Sequence, residues 1–352
     1  MTLKNYLIEQ LQKHPTTQPQ DMVKQCYQAA FGAEHLLKNI DSAKQYLLKE
    51  YESVEPSHSM PLYEEISETI CRINLSAWKA KQLPLDLLFQ LFVASSTISS
   101  NETELFLQYL EEASEVIQTE TVAFSFEEWE TFFKDYKEMN MPSIHHSDEY
   151  REQEHPAYRI VKKEWIELLP ILERINEIQT TKSYGIIAID GRAGAGKTTL
   201  ANKLSYLLNA ELISMDDFFL PIDLRTIERL QSAGGNVHYE RFLEQVLPYL
   251  KTHKPFTYQI FDCSIMNYNK EKTIKNNGWC IVEGSYSHHP LFQRYADITI
   301  FVDITKELQM KRILQRNGEK MAQMFQTKWI PMEEHYFQEF KIKEKSDFSI
   351  IQ

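Results

Sequence analysis

The stretch that most constrains this chain is "YGIIAIDGRAGAGKTTLANKL", residues 184 to 204. An apolar run stops at an acid, passes through Gly191, Gly194 and Gly196, and restarts with the spacing of a helix. Gly191-Arg192-Ala193-Gly194-Ala195-Gly196-Lys197-Thr198 satisfies GxxxxGK(S/T) in full, with a strand pattern before it and a helix pattern after it. Glycine permits backbone conformations closed to other residues, so successive amides can point inward at phosphate oxygens beside a helix N-terminus. Gly191 through Thr199 are therefore expected to cradle the phosphates of a nucleotide, ATP. Lys197 would neutralise the β and γ phosphates, and the Thr198 hydroxyl would ligate Mg²⁺. The competing reading is a glycine-rich turn that merely closes a βα unit.

The rest of the second half keeps the same rhythm. "AELISM", "WCIVEG", "DITIFVDI" and "DFSII" read as strands, and "ERFLEQVLPYL" and "KELQMKRILQRN" as helices. Strands alternating with helices imply a parallel sheet covered on both faces, an α/β fold.

The first half reads as helix almost throughout. "QDMVKQCYQAAF", "DSAKQYLLKEY", "PLDLLFQLFVASS", "NETELFLQYLEEASEVI", "SFEEWETFFKDY" and "AYRIVKKEWIELLPILERINEI" each space apolar residues at three and four. With 352 residues, two domains are expected, an all-helical domain over 1–180 and the α/β domain over 181–352. The polar segment "QTTKSYG" marks the boundary between them.

Charge separates the halves. Residues 1–180 carry 16 Lys and Arg against 30 Asp and Glu, and residues 181–352 carry 22 against 20. An acidic half argues against a nucleic-acid platform, which needs clustered cations. No apolar run reaches the ~20 residues that span a bilayer, so a membrane partner is not expected. Cys26, Cys71, Cys263 and Cys280 are widely spaced, as reduced thiols of a cytoplasmic protein would be.

Beyond the phosphate loop, "SMDDFFLP" places Asp216 and Asp217 just past a strand, at the carboxyl edge where α/β sheets open towards ligands. Here the chain resembles the uridine kinase and phosphoribulokinase group of P-loop kinases, over roughly residues 184 to 352. The resemblance implies transfer of the γ phosphate of Mg·ATP to a hydroxyl of a small molecule, with Asp216 as base and as a contributor to the metal shell, and Asp217 as a positioning neighbour. Helix capping is the alternative for the pair. "IVEGSYS" is similar to the family's strand ending in Glu-Gly, which implies that Glu283 holds Mg²⁺ directly or through water. "QMKRILQRNG" is similar to its lid helix, implying that Arg312 and Arg316 face the transferred phosphoryl group; a solvated helix face is the alternative.

"GGNVHYERFLEQVLPYL" and "YQIFDCS" resemble the acceptor-side segments. His238 and Met266 stand near the positions where uridine kinases read ribose and uracil with Asp and His, so a nucleoside acceptor is in doubt. His238, Glu240, Arg241 and Asp262 are left to orient a nucleoside or another polyhydroxylated acceptor.

Two other classes stay open, a regulatory P-loop NTPase and an ATP-sensing binding protein, as does self-association. The first half resembles an all-helical domain found joined to such kinases, to which no role attaches. "IHHSDEYREQEHPAYR" gathers His145, His146, His155, Asp148 and Glu149, with His35 upstream. A metal or anion site is one reading of this cluster, and a loop capping a helix that starts near Pro156 is the other.

Overall fold

A computed structural model describes residues 1–33, 39–96 and 102–352. His35 lies outside the described residues. The chain divides into two compact units, Met1–Asn176 and Glu177–Gln352. Among the described residues, no helix is long and apolar enough to cross a membrane.

The first unit is mostly helical, but it is not all helix. Three strands, β1 (Tyr63–Glu65), β2 (Ile70–Asn74) and β3 (Tyr158–Lys162), pair antiparallel with β2 in the centre. The helix expected from Ala157 onward is instead β3, a single turn Lys163–Ile166 and the helix Leu169–Gln179. Ile160 and Val161 are β-branched and fully buried, and they pair with Arg72 and Cys71 across the ladder, which outweighs a spacing that suits either structure. No helix starts at Pro156 either. The helix Asp148–Glu154 ends before it, with His155 at φ 43° as its left-handed cap.

Helix starts in this unit follow the local sequence. Asn39 accepts the amide of Ser42, Asn74 that of Ala77, and Ser125 and Glu128 form a reciprocal capping box. Trp78, Trp129, Tyr6, Tyr136, Phe92 and Phe106 are fully buried in its interior.

The second unit is built on a five-stranded parallel sheet with the order β10-β9-β4-β8-β5. The strands are β4 (Gly185–Gly191), β5 (Glu211–Ser214), β8 (Trp279–Glu283), β9 (Ile298–Asp303) and β10 (Phe348–Ile351), and an antiparallel hairpin of β6 (Phe256–Asp262) and β7 (Asn267–Ile274) stands apart from them. Every residue of β4 is buried, as a central strand covered on both faces requires. Register aligns the carboxyl ends: Ser214 pairs with Glu283, Ile189 with Glu283, and Gly191 with Val302. The chain leaves β4 towards β5 on one side and later adds β9 on the other, so the crevice opens beside the end of β4. The sheet order and the loop after β4 define an α/β P-loop fold.

Candidate active site

The loop between β4 and the helix Lys197–Leu208 has φ of 139° at Gly191, 74° at Gly194 and 94° at Gly196. At Gly191 a Cβ would lie 2.1 Å from the Val302 carbonyl oxygen, so only glycine fits against β9. The Lys197 ammonium folds over the loop and donates to the carbonyls of Gly191 at 2.7 Å and Arg192 at 3.1 Å.

Several loop amides are already engaged. Gly191 N donates to Asp190, Arg192 N to Val302 O, Ala195 N to Arg192 O, and Ala193 N to Glu333 Oε2 at 3.0 Å. The donors left to face an anion are the Gly194 amide and those of the first helical turn, Gly196 to Thr199, which have no partner inside a helix. The Arg192 side chain turns away from the loop mouth, paired with Glu334 at 2.6 Å and with Asp303.

One carboxylate and two hydroxyls meet where β4, β5 and β8 end. Glu283 accepts the Thr198 hydroxyl at 3.3 Å on one oxygen and the Ser214 hydroxyl at 3.2 Å on the other. Burial pushes the Glu283 pKa up, the charge of Asp216 adds to this, and Lys197 opposes it. Asp216 lies in the 3₁₀ turn Met215–Phe218, where its amide donates to Ser214 Oγ at 3.3 Å. Asp216 is exposed as a residue, yet the atoms packed around its carboxyl group desolvate it and raise its pKa, with the charges of Lys197 and Arg316 opposing. Lys197, Asp216, Glu283 and Arg316 therefore share one electrostatic neighbourhood.

Asp217 faces elsewhere. Its Oδ2 accepts the Tyr258 hydroxyl at 2.9 Å. Adjacent residues of the turn thus serve different surroundings, one the phosphate loop and the other the β6–β7 hairpin.

Arg312 and Arg316 lie on the helix Lys306–Met324, which breaks at Gly318 (φ 77°). Arg312 donates to the Gly194 carbonyl at 3.3 Å, and Gln309 to the Ala193 carbonyl at 3.0 Å, so this helix packs on the phosphate loop.

The residues expected to orient an acceptor each have protein partners. Arg241 is buried and donates to the backbone carbonyls of Gln259 and Asp217, with the Phe218 ring 4.3 Å from its guanidinium. It ties the hairpin to the Asp216–Asp217 turn. Glu240 is held by Arg229 through two bonds of 2.7 and 2.9 Å. Asp262 is tied up in the hairpin turn by Ser264 and Asn269. His238 caps the helix Tyr239–Gln245, its Nδ1 lies 3.2 Å from the Tyr268 hydroxyl, and burial pushes its pKa down.

Three participants carried no sequence signal of their own. Asp190, fully buried, accepts the amides of Gly191, Tyr286 and His288 and the Tyr336 hydroxyl, fixing the start of the loop. Glu333 bridges the Ala193 amide and the Ser285 hydroxyl, the latter at 2.6 Å. Ser214 was legible only as the first residue of the SMDDFF stretch.

The donor set suits a hard cation. Thr198, Glu283 and Asp216 offer oxygens of the kind that Mg²⁺ takes, and phosphate oxygens and water would complete its shell. Among the described residues, no three His, Cys, Asp or Glu side chains gather into a metal cage. In the first unit the histidine cluster is dispersed: His146 is buried, and His145 and His155 face solvent.

No family model and no curated protein matches the chain. Solved structures are similar to about half of it. One is a possible uridine kinase from Bacillus stearothermophilus, 17% identical, with a TM-score of 0.39, covering 51% of this chain and 99% of that one. Another, from Silicibacter sp. TM1040 and assigned as a fructose transport system kinase, is 20% identical, with a TM-score of 0.41, covering 52% and 98%. Deoxyadenosine kinase from M. mycoides with bound dATP is 17% identical, with a TM-score of 0.23, covering 47% and 90%.

Proposed function

We propose that the second unit is an ATP-dependent phosphotransferase that moves the γ phosphate of Mg·ATP to a hydroxyl of a small molecule. The observation that carries this reading is the convergence of Lys197, Thr198, Glu283 and Asp216 at the carboxyl ends of three adjacent strands. A switch or motor needs the loop and a cation site; an exposed aspartate beside the phosphate-loop lysine suits an acceptor hydroxyl as well.

The amides of Gly194 and of Gly196 to Thr199 would hold the phosphates, and Lys197 would swing from the loop carbonyls to the β and γ oxygens. Mg²⁺ held by Thr198, Glu283 and Asp216 would offset phosphate charge as the γ group departs. Asp216 would orient the acceptor hydroxyl and take its proton, and Arg316 would face the charge that develops on the moving group. Arg241 would position the turn that carries Asp216.

The test is ADP release by the full chain with Mg·ATP and a panel of sugars, polyols and nucleosides. Acceptor-dependent release that Asp216→Asn abolishes supports the reading. Turnover of equal rate with and without every acceptor would instead favour an NTPase.

A further inference from the structure

The helix Pro19–Phe31 is buried along most of its length, yet one face of it is polar. Asp21, Lys24, Gln25 and Gln28 are all at least 95% buried and recur at i, i+3, i+4 and i+7, the spacing that normally carries an apolar stripe. The two ends of this stripe are satisfied. Asp21 accepts from His146 at 2.9 Å and from the amide and hydroxyl of Ser147, and Gln28 accepts from Arg72 at 2.6 Å.

The middle is not. Both side-chain polar atoms of Gln25 are buried without a hydrogen-bond partner, as are Arg72 Nε and the Tyr6 hydroxyl. Arg72 is 5% exposed, and its nearest carboxylate among the described residues, Glu64, stands 3.9 Å away and is shared with Gln10 and Lys13. The rings of Tyr158 and Tyr6 cover the guanidinium at 4.4 and 5.3 Å, which offsets part of its desolvation and leaves its Nε edge unused. Burial first, and then the charge of Arg72, pushes the pKa of Lys24 down to about 8, so a second cation shares this interior. Buried polar atoms without partners cost stability, and Glu64 at 3.9 Å offsets only part of the desolvation of a buried guanidinium. A fold that keeps all of them together retains them for something that is not part of the chain.

We propose that the first unit binds a small molecule bearing an oxyanion, a phosphate or a carboxylate, on Arg72, with Gln25 and the Tyr6 hydroxyl supplying further hydrogen bonds. Arg is the side chain whose planar fork matches either group, and a glutamine amide can both donate to and accept from the same ligand. The residues of this site belong to the first unit, and the proposal does not depend on the kinase reading.

The experiment is calorimetric titration of the full chain carrying Lys197→Ala, which removes the principal phosphate-loop cation. The probes are inorganic phosphate, succinate and citrate, with chloride at matched ionic strength as control. At least one probe binds with a dissociation constant below about 1 mM, and Gln25→Met, equal in size and apolar, weakens it at least tenfold. The same variant without any probe melts at or above the parent temperature, because two unpaired polar atoms have been removed. Arg72→Gln abolishes binding if it folds. Failure of all three probes to bind, or binding that Gln25→Met leaves intact, overturns the proposal.

Discussion

The Thr198 hydroxyl donates to Glu283 Oε2 at 3.3 Å, joining the first turn after the phosphate loop to the end of β8. These residues are 85 positions apart in the chain. Their meeting gives the loop an acidic partner at the place where phosphate charge would need a cation.

Lys197→Ala removes stabilisation by nucleotide. A ligand at about 100 times its dissociation constant raises stability by about 2.7 kcal/mol, so the wild type shows a clear thermal shift with Mg·ATP and the variant little or none. Equal shifts would show that Lys197 stays on the loop carbonyls and does not reach phosphate.

Asp216→Asn weakens Mg·ATP binding far less than it slows acceptor-dependent ADP release, which falls by about 10² to 10⁴-fold. Acceptor-dependent activity falls as pH drops through the Asp216 pKa, since only the ionised form accepts a proton; burial raises that pKa in the cation-free site, and a cation held beside it would lower it. Asp217→Asn stays within about tenfold of wild type, because its carboxyl group faces Tyr258. The reverse pattern in the two variants would move the base by one residue.

The proposed phosphotransferase is expected to use uridine and cytidine poorly. A site built to hydrogen-bond a base discriminates through buried polar groups that the wrong ligand leaves unpaired, and here Glu240, Arg241 and Asp262 are occupied by protein partners. Saturation by either nucleoside well below a millimolar would contradict this.

Arg241→Met acts on stability before it acts on any KM. It removes two bonds to buried backbone carbonyls and the contact with Phe218, at a cost of about 1 to 3 kcal/mol. Urea unfolding measures it; an unchanged midpoint with a raised acceptor KM would return Arg241 to the acceptor site.

The first unit loses stability on acidification. Burial pushes the His146 pKa down to about 4, so between pH 6.5 and 4 the unfolded chain takes up a proton that the folded chain does not. Over that window the loss is about 3 kcal/mol. Asp21 is held below the usual carboxylate range, its bonds from His146 and Ser147 outweighing burial, so the stability it contributes is lost only at lower pH. Urea unfolding of the full chain at pH 7 and pH 4.5 reads the effect, and His146→Gln flattens it.

The helical character of the first half was legible wherever a cap and an apolar stripe agreed, as at Ser125 and Glu128. It failed at Ala157 onward, where Ile160, Val161, Trp165, Ile166, Leu168 and Leu169 carry a spacing open to strand or helix. Only the presence of β2 alongside decides between them. The partners of the acceptor-side residues were hidden for a related reason: composition marks Arg241 and Glu240 as polar, and nothing local says that Gln259, Asp217 and Arg229 will bond them.

What the sequence alone determined is the βα unit around Gly191 to Thr199, together with the acids that follow β5 and β8. Those features are written in contiguous residues, where spacing sets backbone conformation and a strand end sets position. The tertiary structure decided which polar groups are consumed and which stay available. Tyr336 reaches Asp190 across 146 positions, Glu333 reaches Ala193 across 140, and Arg72 reaches Gln28 across 44. Hydrogen bonds over such separations are chosen by packing, because a buried donor must find whichever acceptor the folded chain brings within about 3 Å.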